Sequence, residues 1–130
     1  MIYNESEDGD YKIVYFKRFD TEEIPVRVYI GNLEKKERAK ILKYIEFLRQ
    51  NKGCLDEPYS RHIRGKIREL RVDFAKNRHR IFYFTFIGKN IILLRAFLKK
   101  TAKTPEVEIE KAEVNYKQVL INQNAYEEKI

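Results

Sequence analysis

The chain of 130 residues contains one cysteine (Cys54), two histidines, three prolines, five glycines and no tryptophan. A single thiol cannot close an internal disulfide, so a reducing cytoplasm is expected rather than secretion. His62, His79 and Cys54 stand in no CxxC or HxxxH spacing, so no metal site and no other cofactor is expected. The glycines are isolated and none opens a GK[ST] phosphate loop, which leaves nucleotide hydrolysis without support. No apolar run approaches the roughly 18–20 residues of a membrane span. The first residues, MIYNESEDGDYK, are acidic where a signal peptide is basic and then apolar, so no membrane or export role is expected. No Gly/Ser linker, Pro-rich tract or repeat divides the sequence, which reads as a single domain over 1–130, with 1–9 and 123–130 as loose ends.

A core, by contrast, is well supplied. Hydrophobic residues make up 43%, and the 8 Phe and 9 Tyr are too many for a disordered chain. The net charge of +7 is unevenly spread. Residues 1–10 hold four acids and no base, while residues 61–80 hold eight Lys/Arg (Arg61, Arg64, Lys66, Arg68, Arg71, Lys76, Arg78, Arg80) against Glu69 and Asp73. A stripe of this kind concentrates polyanions, with RNA or DNA first and an acidic protein second; the bland alternative is a solvated face of scattered cations.

Aromatic and β-branched residues mark 11–18 (YKIVYFKR) as a first strand, and Arg27–Ile30 as a short second extended piece. From Asn32, a candidate cap, Leu33, Ile41, Leu42, Ile45 and Leu48 recur at helical spacing until Gly53 stops the helix. Residues 54–68 read as a loop with at most a short helix. Residues 67–74 (IRELRVDF) alternate as a half-buried strand, with Leu70, Val72 and Phe74 on one side and Glu69, Arg71 and Asp73 on the other. The near-continuous apolar runs 79–87 and 90–98, joined at Gly88-Lys89, read as central strands covered on both faces. A final helix starts after Thr104 and Pro105, with Ile109, Ala112, Tyr116, Val119 and Leu120 as its apolar stripe. The fold expected is α+β: a small antiparallel sheet with N-terminal helical structure and a C-terminal helix.

Arg71, Arg80 and the run Lys99-Lys100-Thr101 fall on neighbouring strands, whose basic ends can converge on one surface suited to a phosphodiester. Cleaving RNA without a metal takes a base for the 2′-hydroxyl proton, cations for the phosphorane and an acid for the leaving oxygen. Arginine donates bidentately, and a lysine crowded by cations can have its pKa lowered toward the range of a base. These residue types permit such chemistry without specifying it. Glu69 and Asp73, two positions either side of Arg71, can instead tether it.

Residues 66–120 resemble the C-terminal half of the RelE/HigB-type toxins of bacterial type II toxin–antitoxin systems, particularly the phage-derived HigB branch. The resemblance rests on IRELR (67–71), RIFY (80–83), FLKKTAKTP (97–105) and the terminal helix. It implies a RelE-like, microbial-ribonuclease-like fold and a metal-independent endoribonuclease that cuts translated mRNA in the ribosomal A site. Its partners would be the ribosome, mRNA and a cognate antitoxin of helix-turn-helix type. Carried over by position, Arg71 would bind the scissile phosphate, Arg80 would add a second cation, and Lys99 and Lys100 would neutralise the backbone and transfer protons. Arg61, Arg64, Lys66, Arg68, Arg78, His79 and Thr101 would contact RNA, with His79 a second choice for acid or base. Two other functions fit the same sequence: a non-catalytic nucleic-acid-binding module, and a co-repressor partner of the antitoxin.

Overall fold

The computed structural model describes residues 10–86 and 88–126. The expected loose ends at 1–9 and 127–130 lie outside the described residues. In chain order the elements are β1 (Lys12–Tyr15), α1 (Pro25–Gly31), α2 (Lys35–Gln50), β2 (Ser60–Arg64), β3 (Ile67–Phe74), β4 (Asn77–Phe86), β5 (Asn90–Lys99) and α3 (Glu106–Ile121). The five strands form one sheet in the order β1-β5-β4-β3-β2. β2 to β5 run antiparallel, and β1 joins β5 in parallel. The α+β architecture with a C-terminal helix is as expected from the sequence.

β4 and β5 occupy the middle of the sheet, which accounts for their unbroken apolar runs: both faces of each need cover. On one face Leu70, Val72, Ile81, Tyr83, Ile91 and Leu93 pack with Val26 and Ile30 of α1 and Ile41, Ile45 and Leu48 of α2. On the other, Phe82, Phe84, Ile92, Leu94 and Phe97 pack with Ile109, Ala112 and Val119 of α3. Asn115 of α3, buried among apolar groups, donates to the Leu94 carbonyl at 2.8 Å, in keeping with the cost of leaving such a group unpaired.

Three elements differ from the sequence reading. The piece expected to be extended at Arg27–Ile30 lies within α1. Pro25 supplies the pre-set φ of a first helical turn, and Val26 and Ile30, one turn apart, both face the core. Within 54–68, expected to be a loop, Ser60–Arg64 form β2, paired with β3 at the sheet edge. An edge strand needs no apolar alternation, and its charges discourage further pairing. At the C-terminus, Gln123–Ala125 form a short 3₁₀ turn, and the Tyr126 carbonyl accepts from Asn90 Nδ2 at 3.2 Å, so this part of the expected loose end is held against the sheet.

Gly53 ends the turn that follows α2. Its φ is +83°, its N–H donates to the Leu48 carbonyl at 2.9 Å, and a Cβ there would lie 2.6 Å from Thr85 Oγ1. Its carbonyl accepts from the fully buried Tyr83 hydroxyl at 3.0 Å. Backbone conformation and space therefore both demand glycine. Gly53→Ala is expected to cost about 1–3 kcal/mol, seen as a lower urea midpoint with unchanged slope; an unchanged midpoint would refute this reading of the turn.

Candidate functional site: a cationic cluster around a buried carboxylate

β-strand parity and register decide which charged residues meet. Arg71 lies opposite Arg80, and Arg80 opposite Phe97; Asp73 lies opposite Arg78, and Arg78 opposite Lys99. Facing strand partners share a side of the sheet, so Glu69, Arg71 and Asp73 of β3, Arg78 and Arg80 of β4 and Lys99 of β5 all lie on the α3 side. Arg61 of β2, opposite Glu69, joins them. The hydrophobic packing of α3 lies against the neighbouring part of this face, and the chain from β5 into α3 passes beside the cluster: Thr104 Oγ1 donates to Glu69 Oε2 at 3.4 Å.

Glu69 is fully buried, at 0% exposure, and Arg80 at 2% and Lys99 at 7% are nearly so. Arg71 is half-buried, with its Nε 3.7 Å from Glu69 Oε1, an ion pair too long to be a hydrogen bond. Asp73, expected along with Glu69 as a tether for Arg71, instead accepts from Arg80 NH1 at 2.8 Å. The same NH1 donates to the His79 carbonyl at 3.0 Å. Arg80 is thus fixed from two sides, a strong constraint on a long side chain.

These contacts leave buried groups unpaired. The Nε atoms of Arg71 and Arg80 and Oε1 of Glu69 have no hydrogen-bond partner among the described residues. Unpaired buried N–H donors cost free energy; of the two guanidinium groups, that of Arg71, 23% exposed, is the one open to an oxyanion from solvent. Burial pushes the Lys99 ammonium below the ordinary lysine range. The Glu69 charge opposes that shift, while Arg80, Arg71 and Arg61 add to it. A larger share of Lys99 is therefore neutral near physiological pH than for a solvated lysine.

The other expected site residues lie elsewhere. Arg78 is exposed at the rim, and Lys100 and Thr101 are exposed just past β5; Thr101 Oγ1 donates to the Lys103 carbonyl at 2.6 Å. Lys66 is exposed in the β2–β3 turn. Arg64 is engaged by two acids of α3, with Glu106 at 2.8 Å and Glu113 at 3.4 Å. Arg68 faces the α1/α2 side, where its guanidinium donates to Ser60 Oγ at 3.3 Å and Tyr83 Oη at 3.4 Å.

His79, expected beside the cations as an alternative acid or base, also points to the α1/α2 side. It is 1% exposed, with Nδ1 2.7 Å from the Tyr29 hydroxyl and Nε2 2.5 Å from Glu37 Oε2. A carboxylate only accepts, so Nε2 donates to Glu37, while Nδ1 and the Tyr29 hydroxyl share the second hydrogen bond. Hydrogen bonds from Asn77 and then His79 hold the Glu37 carboxyl below its usual range. Burial, aided by the Glu37 charge, pushes the Tyr29 phenol up to about 12. This network ties α1 and α2 to the start of β4; it reaches the cluster only through the His79 carbonyl under Arg80.

Sequence reading recognised Glu69 as a tether but not as the buried centre of the cluster. Its position in an alternating strand suggested solvent, and the covering chain at Thr104 is distant in sequence. The aromatic Tyr59, beside Arg71, was not singled out; an aromatic flanking a cationic stripe was the available signal.

A family model described as "Phage derived protein Gp49-like (DUF891)" matches residues 28–117, a span from α1 through most of α3. No curated protein gives a significant match.

Proposed function

We infer the activity from two facts: the chain belongs to the phage-derived Gp49-like family of RelE/Gp49 toxin-like proteins, and its strand cations gather around a buried carboxylate on one face of the sheet, with Arg71 part-exposed. The family is associated with the toxins of toxin–antitoxin systems, which implies an antitoxin partner. The reading they support best is a HigB-like, ribosome-dependent mRNA endonuclease acting in the cytoplasm and neutralised by an antitoxin of helix-turn-helix type. No helix among the described residues is long and apolar enough to cross a membrane.

The single observation that carries the chemistry is the register that puts Arg71, Arg80 and Lys99 on one face of the sheet, with Arg71 part-exposed there. In the proposed reaction the two guanidinium groups bind the non-bridging oxygens of the scissile phosphate. The 2′-oxygen attacks phosphorus as its proton passes to a base, the P–O5′ bond breaks and the 5′-oxygen takes a proton. The products are a 2′,3′-cyclic phosphate and a 5′-hydroxyl end. Preorganised donors aimed at the phosphorane are the largest contribution such a site can make. Lys99, with its lowered pKa, is the proposed proton acceptor; Glu69 is proposed to hold Arg71, its ion-pair partner, in place. Lys100 and Thr101, with Arg61 and Arg78, are proposed to contact the flanking RNA backbone.

The pH dependence follows from the direction of the Lys99 shift. If neutral Lys99 is the base, cleavage rises with pH and levels off above an apparent pKa lying below the ~10.4 of an ordinary lysine. The measurement is kcat/KM against pH on ribosome-bound mRNA, for wild type and Lys99→Gln. A rise with pH that persists unchanged in Lys99→Gln would remove Lys99 from that role.

A further inference from the structure

Where β3 outruns β2, its edge borders a cleft. The last rung of that pairing is the Arg71 N–H donating to the Tyr59 carbonyl at 2.8 Å. Beyond it, Lys40, Tyr44, Pro58, Tyr59, Arg71 and Asp73 line a cavity of about 180 Å³. Tyr44 and Tyr59 meet edge to face, with centroids 6.0 Å apart and planes at 60°. The Lys40 ammonium lies 5.7 Å from the Tyr44 ring centroid and donates to the Asp73 carbonyl. One wall is therefore aromatic and another cationic, and Tyr59 remains 48% exposed although it stands beside buried strands.

We propose that this cleft is a nucleobase subsite, in which a base of single-stranded RNA stacks on Tyr59 while the adjoining phosphate rests on Arg71. The assignment rests on the nuclease reading above and deepens it, because Arg71 lines both the cleft and the cationic cluster. A solvent-exposed aromatic surface costs water contact with apolar area, and a base offers a flat partner of matching size. Tyr44, in edge-to-face contact with Tyr59 and beneath the Lys40 ammonium, holds the platform in one orientation, so little side-chain freedom is lost on binding. Lys40, which lines the same cleft, adds a second charge for the sugar–phosphate chain. Every base has a π face, so stacking here favours an unpaired base without selecting its identity. The cleft would thus position the strand rather than read its sequence.

The test uses the full-length protein and a fluorescent hexaribonucleotide, 2′-O-methylated to prevent cleavage, at low salt. It is compared with versions carrying a single abasic residue at each position in turn. For wild type, one abasic position is expected to weaken binding about 10-fold, the scale of one base–aromatic stack. Tyr59→Phe should retain that penalty, which also controls for folding. Tyr59→Ala should bind intact and abasic oligonucleotides alike, at the weakened level. The assignment is overturned if wild type is indifferent to the abasic residue at every position, or if Tyr59→Ala still feels the loss as wild type does. Arg71→Ala separates the two readings. If it weakens binding of every oligonucleotide while the Tyr59 results are negative, only the base subsite falls; if no oligonucleotide binds wild type, the subsite falls and the nuclease reading is decided by cleavage of ribosome-bound mRNA.

Discussion

Arg71→Ala is expected to lower kcat/KM for cleavage of ribosome-bound mRNA by about 10²–10³, the usual cost of removing one preorganised donor from a developing oxyanion. The side chain is half-buried and makes no hydrogen bond among the described residues. Its loss also strands the fully buried Glu69 carboxylate that it pairs with at 3.7 Å, so the melting temperature should fall as well, and cleavage is compared at a temperature where the variant is folded. Arg71→Lys should recover only part of the rate, because an ammonium restores the charge and not the planar fork. Arg80→Lys should lose both rate and stability: the Arg80 guanidinium is locked by Asp73 and the His79 carbonyl. An Arg71→Ala protein that is folded and cleaves at the wild-type rate would remove the central residue from the site.

The second large effect concerns His79 and falls on stability. His79→Ala removes a fully buried ring and leaves Tyr29 and Glu37 without the partner between them. Cavity formation and the two lost hydrogen bonds, with Glu37 still held by Asn77, together should cost about 2–4 kcal/mol, or roughly 10 °C in melting temperature at this size. Measured at a temperature where the variant is folded, cleavage should keep its pH profile, since the imidazole faces away from the cations. A folded His79→Ala protein with near-wild-type stability and a collapsed rate would restore histidine to the catalytic role and contradict the strand parity described here.

That parity shows how far the sequence could be read. IRELRVDF alternates visibly, so Leu70 and Val72 sort to one face and Glu69, Arg71 and Asp73 to the other, as found. IFYF (81–84) is unbroken apolar because β4 is central and covered on both sides, and such a run carries no mark of which residues face which layer. Adjacent strand residues nonetheless point opposite ways. His79 and Arg80 could therefore never share a face within β4, a constraint the motif resemblance did not apply. β2 escaped notice for the opposite reason: SRHIR lies at an edge, with only Ser60 buried, and little apolar pattern is demanded of it. In α1, Val26, Val28 and Ile30 look strand-like by composition, and the helix is set instead by Pro25 and by packing against the sheet. The cations of the cluster were legible as types and spacing. The burial of Glu69, and with it the electrostatic setting of Lys99, depends on the chain at Thr104 closing over β3, a contact between residues 35 positions apart.

The most direct test of the nuclease reading is to map mRNA 5′ ends in a translating cell-free extract supplied with the purified protein, beside the same RNA without ribosomes. New 5′-hydroxyl ends within translated codons, produced only when ribosomes are present, are the predicted result. Their absence under every condition, with the protein folded and bound to RNA, would contradict a nuclease and leave the cationic cluster as a binding surface.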